Sequence, residues 1–424
     1  MITTILATTP TLDTGNTAWM MMSTILVLLM SIPGIALFYG GLVRQKNVLS
    51  VVMQTMLIVG AVSLIWVAFG YSWAFDDSYK ASGSPLFFII GGWGKAFLHG
   101  VTTDKLMPTG IPELTFVMFQ CMFALITPAL ILGAFAERIK FKGYMVFTLL
   151  WVIIAYLPMA HWVWGGGFLQ DMGAIDFAGG TVVHINAGVS ALVMALMIGK
   201  REDYRVGHPI TPHNIMFVFL GTSFLWLGWF GFNAGSGLAA DGLDANAFLV
   251  THVATATAAM TWMTVDWCFN KKPTTVGACT GAVAGLVAIT PAAGTVDLLG
   301  AFAIGVITPI VCFIMVAAVK PYFKYDDALD AFGVHGVGGI IGSILTGVFA
   351  TQYITGEGGV EGALYGGWHQ LWVQLVATGV SIVFALVVTT ILFLVVDKTI
   401  GIRVDKRVEE EGLDIYEHGE SAYN

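Results

Sequence analysis

Two stretches of the chain read alike: DFAGGTVVHINAGV, from Asp176 to Val189, and DALDAFGVHGVGGI, from Asp327 to Ile340. Each has an Asp eight residues before a His and a Gly four residues after that His, Gly188 and Gly339. Each also opens a long apolar run. A membrane crossing needs about 20 such residues. Runs of that kind fall near 18–42, 47–75, 113–136, 143–165, 179–199, 214–238, 246–269, 276–293, 298–319, 333–352 and 370–397. The eighth is the weakest on its own. The like stretches begin the fifth and the tenth. An odd number of crossings separates them, so the two helices enter from opposite faces. The pattern predicts an all-α membrane protein with eleven transmembrane helices. Spans 1–5 and 6–10 form an inverted five-helix repeat, and the eleventh is left over. Inverted repeats place their working site near midplane at the repeat interface.

Composition agrees. The 424 residues are 57% hydrophobic and 11% charged, with mean hydropathy +0.80. A soluble domain carries about 25% charged residues, so this surface faces lipid. The 51 glycines suit close helix packing in a bilayer. Cys121, Cys268, Cys279 and Cys312 form no CxxC pair and read as buried thiols. The first fifteen residues lack the basic segment of a signal peptide.

Of the 19 Lys and Arg residues, only Lys80, Lys95 and Lys105 fall on one side of this topology. The other sixteen fall on the opposite side, the cytoplasmic one by the positive-inside rule. The N-terminus is then outside and the C-terminus inside. Residues 1–398 form the transmembrane domain. Residues 399–424 form a charged cytoplasmic tail, expected to be flexible by itself.

An ionisable residue inside a span is costly and points to function. One His is as easily a structural group bonded to a neighbour. Two at matched repeat positions, His184 and His335, weigh toward function. Paired His could also ligate a haem or metal, but no other Cys, Asp, Glu or His within the spans completes a set. A proton pump would call for a chain of buried carboxylates, and only Asp176 and Glu137 offer themselves. No nucleotide loop and no nucleophile with its base point to an enzyme, and no cofactor is expected. Nothing points to nucleic acid.

At these residues the sequence resembles the ammonium transporter family, the Amt/MEP/Rh group, in its prokaryotic Amt branch. The motifs are DFAGGTVVHIN, PGIALFYGGLVRQKNVLS (Pro33–Ser50), GWFGFNAGS (Gly228–Ser236), FGVHGVGG (Phe332–Gly339) and the tail GLDIYEHGESAYN. The resemblance implies a homotrimer with one pore per subunit, carrying ammonium or ammonia, and methylammonium as an analogue. His184 and His335 match the twin histidines that line the pore and hydrogen-bond to one another. Phe119, Phe123, Trp164 and Ser236 match the outer ammonium site. Phe123 and Phe232 match the stacked rings that gate it. Without the resemblance, these aromatics would read as packing or as interfacial anchors. Asp176 matches the family's essential aspartate. It also suits a helix N-cap, and Asp327 is its repeat counterpart.

The tail resembles that of members blocked by a trimeric PII signalling protein, which implies such a partner at the cytoplasmic face. Two other functions stay open: an ammonium receptor with little flux, and a channel for NH3 or CO2 gas.

Overall fold

The computed structural model describes residues 10–208 and 210–423. The earliest part of the N-terminal stretch, residues 1–9, lies outside the described residues. All regular elements among them are helical, with two isolated backbone bridges, Leu106 to Pro112 and Ile139 to Arg403. In chain order the long helices are α1 (Thr14–Leu42), α2 (Gln45–Phe75), α3 (Glu113–Phe135), α4 (Phe141–Asp171) and α5 (Gly180–Ile198). Then come α6 (Ile215–Gly237), α7 (Gly242–Asn270), α8 (Thr275–Ile289), α9 (Leu298–Phe323), α10 (Phe332–Phe349) and α11 (Trp368–Thr399).

Ten of these are long and apolar enough to cross a membrane. The exception is α8, at 15 residues. At about 1.5 Å per residue it falls short of a ~30 Å hydrocarbon layer. The chain continues beyond it through an irregular stretch, 290–295, whose residues are buried. Irregular backbone at depth is tolerated where protein surrounds it.

Glycines let the helices close up. Gly228 and Gly231 of α6 press on Met30 and Leu26 of α1. Gly281 and Gly285 of α8 press on Trp262 and Ala258 of α7. At the centre α5 crosses α10. A Cβ on Gly188 would collide with the backbone of Gly336, and one on Gly339 would stand 2.9 Å from Cβ of His184. The Gly four residues after each His is therefore the notch that receives the other helix's His turn.

At one end of the bundle buried ion pairs tie the connections together. Glu137 accepts from Arg201 at 2.8 Å and from Arg44 Nε at 3.0 Å. Arg201 also grips Asp326 with Nε at 2.9 Å and Nη2 at 2.8 Å. Arg138, fully buried, donates to the carbonyls of Ala134, Ala136, Gly199 and Asp326. The tail, expected to be flexible by itself, packs on this same end. Asp414 accepts from the N–H groups of Leu49 and Ser50 at the start of α2. Glu417 accepts from Phe141 N–H at the start of α4. Free N–H groups at helix starts attract carboxylates, and the acidic tail supplies them.

Candidate functional site

Two cavities enter the bundle from opposite ends and stop at a row of buried rings. The first, about 340 Å3, lies at the end away from the tail and is lined by Phe123, Trp164, Ser236, Gln120, Phe116 and Leu238 among others. The second, about 390 Å3, lies at the tail end and reaches His335, with Tyr39, Val334, Lys320 and Asp330 in its wall.

Between them, Phe123 and Phe232 stack at 4.3 Å between centroids and 23° between planes. Phe232 is 6.2 Å from the His184 ring. His184 and His335 lie 5.5 Å apart with planes 15° from parallel. All four are buried. Trp229 stacks on His184 at 5.4 Å and 11°, its indole N–H donated to Thr290 Oγ1 at 2.8 Å.

The expected hydrogen bond between the imidazoles is not formed. Neither ring nitrogen of His184, nor Nδ1 of His335, has a hydrogen-bond partner among the described residues. Unpartnered buried nitrogens are costly, and a buried polar group without a partner calls for an explanation. Here they belong to the row of rings between the two cavities.

Each histidine stands in a wide, π-type turn that opens its helix, Gly180–Ile185 and Phe332–Gly336. Such turns recur at functional sites. Asp176 holds the first. It accepts from the N–H groups of Gly179 (2.9 Å), Gly180, Thr181 (2.8 Å) and Val182 (3.0 Å), and from the Thr181 hydroxyl. Burial pushes its carboxyl up against these bonds. Asp327 holds the second turn by accepting from Ala331 at 3.0 Å and Phe332 at 2.8 Å. Burial and the nearby Asp330 push its carboxyl up. Both are engaged as helix caps. The Asp176 carbonyl also receives the Trp164 indole N–H at 2.8 Å, which fixes that ring in the first cavity.

The Ser236 hydroxyl donates to the Phe232 carbonyl at 2.8 Å. Its proton is spent, so its lone pairs are left for a donor in the cavity. Phe119 takes no part in the cavity wall. It is fully buried and backs Phe123 edge-on at 5.0 Å. Sequence reading missed Gln120 and Trp229. Gln120 shares a helix face with Phe116 and Phe123, and its Oε1 has no hydrogen-bond partner. The i, i+4, i+7 spacing of these three residues was the available signal.

Among the described residues no three His, Cys, Asp or Glu side chains gather as a metal site. The arrangement can hold a small hydrogen-bond donor cation on aromatic faces and a hydroxyl. It can also pass a small neutral molecule along an apolar row of rings to two imidazoles.

A family profile described as Ammonium Transporter Family matches residues 18–423. The chain is 48% identical over 414 residues to an ammonium transporter of Aquifex aeolicus, covering 97% of this chain and 94% of that one. Among solved structures, Mep2 of Saccharomyces cerevisiae superposes with a TM-score of 0.84 at 36% identity, covering 93% of this chain and 88% of that one. A structure called Sensor Amt Protein superposes with a TM-score of 0.86 at 31% identity, covering 95% and 98%.

Proposed function

The chain belongs to the ammonium transporter family, and from that premise we propose that it passes ammonium across a cell membrane through the row of rings between its two cavities. The observation that carries this reading is the alignment of Ser236, Phe123, Phe232, His184 and His335 between cavities at opposite ends. The topology proposed with it has eleven crossings, α8 extended by its buried irregular continuation. The N-terminus is outside and the tail inside, in the cytoplasmic membrane. Sixteen of 19 basic residues favour that orientation.

NH4+ enters the outer cavity. The faces of Trp164 and Phe123 attract it by about 0.5–2 kcal/mol each, and Ser236 accepts one N–H. The stacked pair Phe123 and Phe232 leaves no room for water around a cation and must move for passage. A charge in a dry apolar route costs from about 3 to more than 10 kcal/mol. NH4+ avoids that cost by giving its proton to solvent water in the outer cavity and crossing as NH3. K+ has no proton to leave and is excluded. His184 and His335 offer neutral nitrogens to NH3 in midroute, without a fixed charge. They can also relay the proton separately. The protein acts as a homotrimer with one pore in each subunit, and its inner face is the docking surface for a PII signalling protein.

The test is the full-length protein in liposomes, pulsed with ammonium and then with potassium, while current and internal pH are recorded. Ammonium gives a current or internal alkalinisation and potassium gives neither. Silence in both signals for ammonium contradicts transport and turns the reading toward a receptor.

A further inference from the structure

The turn that carries Ser236 is clamped by a side chain of the following helix. At its C-terminal end α6 tightens into one turn, Gly235–Gly237. Leu238 then adopts φ +63°, and Ala239 donates its N–H to Asp244 Oδ2 at 3.0 Å. Asp244 stands in the first turn of α7 and is 3% exposed. A Cβ on Gly237 would overlap its Oδ1 and stand 2.7 Å from its carboxyl carbon. Glycine at 237 is thus set by the carboxylate at 244.

The other flank of the turn is pinned as well. Ala240 N–H donates to Asn16 Oδ1 at 2.9 Å, and Asn16 Nδ2 donates to the carbonyl of Thr109, a cavity-wall residue, at 2.8 Å. The turn therefore has little freedom except through Asp244. Leu238 and Ser236, on either side of Gly237, both line the outer cavity.

We propose that Asp244, fitted against Gly237, is a positioning residue that holds the Ser236 hydroxyl at the cation site and so sets the affinity for ammonium. This rests on the reading above that Ser236 receives ammonium. A hydroxyl displaced by less than an ångström loses a hydrogen bond of about 2.8 Å, so the effect falls on binding rather than on passage beyond the ring pair.

The experiment uses the full-length protein in liposomes and measures initial ammonium flux against concentration. Asp244→Ala raises the KM about fivefold with Vmax kept, the scale of one hydrogen bond of ~1 kcal/mol. Asp244→Asn, which keeps an acceptor for Ala239, restores most of the affinity. Gly237→Ala alone raises the KM, and in the Gly237→Ala/Asp244→Ala double variant the two effects fall short of multiplying, because the clash is gone. Melting temperatures in detergent identify any variant that fails to fold, and the remaining variants then decide. If Ser236→Ala raises the KM while Asp244→Ala leaves it unchanged, the inference is overturned and the ammonium site stands. An Asn variant as weak as the Ala variant also overturns positioning. If Ser236→Ala leaves the KM unchanged, the reading of the site fails and this inference with it.

Discussion

Gly188 of α5 and Gly336 of α10 meet backbone to backbone, with no room for a methyl group between them. Gly339 packs against the His184 turn, where an added Cβ would stand 2.9 Å from Cβ of His184 and 3.1 Å from the Ile185 N. This crossing of the two repeat halves brings the imidazoles to 5.5 Å. Small residues at such crossings replace hydrophobic drive with close contact.

Gly188→Ala therefore forces α5 and α10 apart. Overpacking of this kind costs about 1–3 kcal/mol, and the displaced His335 leaves the row. The expected result is a lower melting temperature in detergent together with near-complete loss of ammonium flux. Wild-type flux would mean that the crossing does not position the pair.

Asp176 satisfies four backbone N–H groups and a hydroxyl, whereas Asp327 satisfies two N–H groups. Each orphaned buried donor costs about 1–3 kcal/mol. Asp176→Ala should lower the melting temperature more than Asp327→Ala, and both should lose transport. Asp176→Ala with wild-type stability and no flux would assign the residue to the substrate rather than to the turn.

Asp326 and Glu137 make stability depend on acid pH. Burial alone would raise Asp326, but Arg138 and Arg201 outweigh it and hold its carboxyl down to about 2. Burial likewise opposes the lowering of Glu137 by Arg201 and Arg44. Depressed carboxyls contribute stability above the unfolded value of about 4, and that contribution is lost as pH falls from about 4 toward 2. The melting temperature should drop through that window, and Asp326→Asn should flatten the dependence. An equally steep drop in that variant would place the effect elsewhere.

Gln120 brings an amide to the outer cavity one turn from Phe123, with Oε1 unpartnered. Gln120→Leu should raise the KM for ammonium about three- to tenfold, the scale of one hydrogen bond, and leave Vmax and melting temperature close to wild type. A drop in Vmax with KM unchanged would place Gln120 outside the recruitment step.

Much of this was legible in the sequence because the membrane enforces regular elements: backbone groups in lipid must bond within a helix. The repeat around His184 and His335, and the part of Asp176 as cap, could be read from position and spacing. The aromatic residues could not. Phe119, Phe123, Phe232 and Trp229 are all apolar residues within helices. Only assembly separates Phe119, which backs the site, from Phe123, which faces it. The pairing of Arg44, Glu137, Arg201 and Asp326 joins four distant connections, so no local pattern announces it. The same holds for the tail, whose carboxylates find the starts of α2 and α4 only once those ends are brought together. The bond expected between the imidazoles depends on ring orientation, which sequence does not carry.

The central claim is that ammonium passes the two histidines. Current and internal pH recorded together after an ammonium pulse, for wild-type protein and for His184→Ala and His335→Ala in liposomes, test it most directly. The account predicts that each substitution alters the ammonium signal or admits potassium, since both rings stand in the row between the two cavities. Ammonium signals unchanged in both variants, with potassium still excluded, would contradict it.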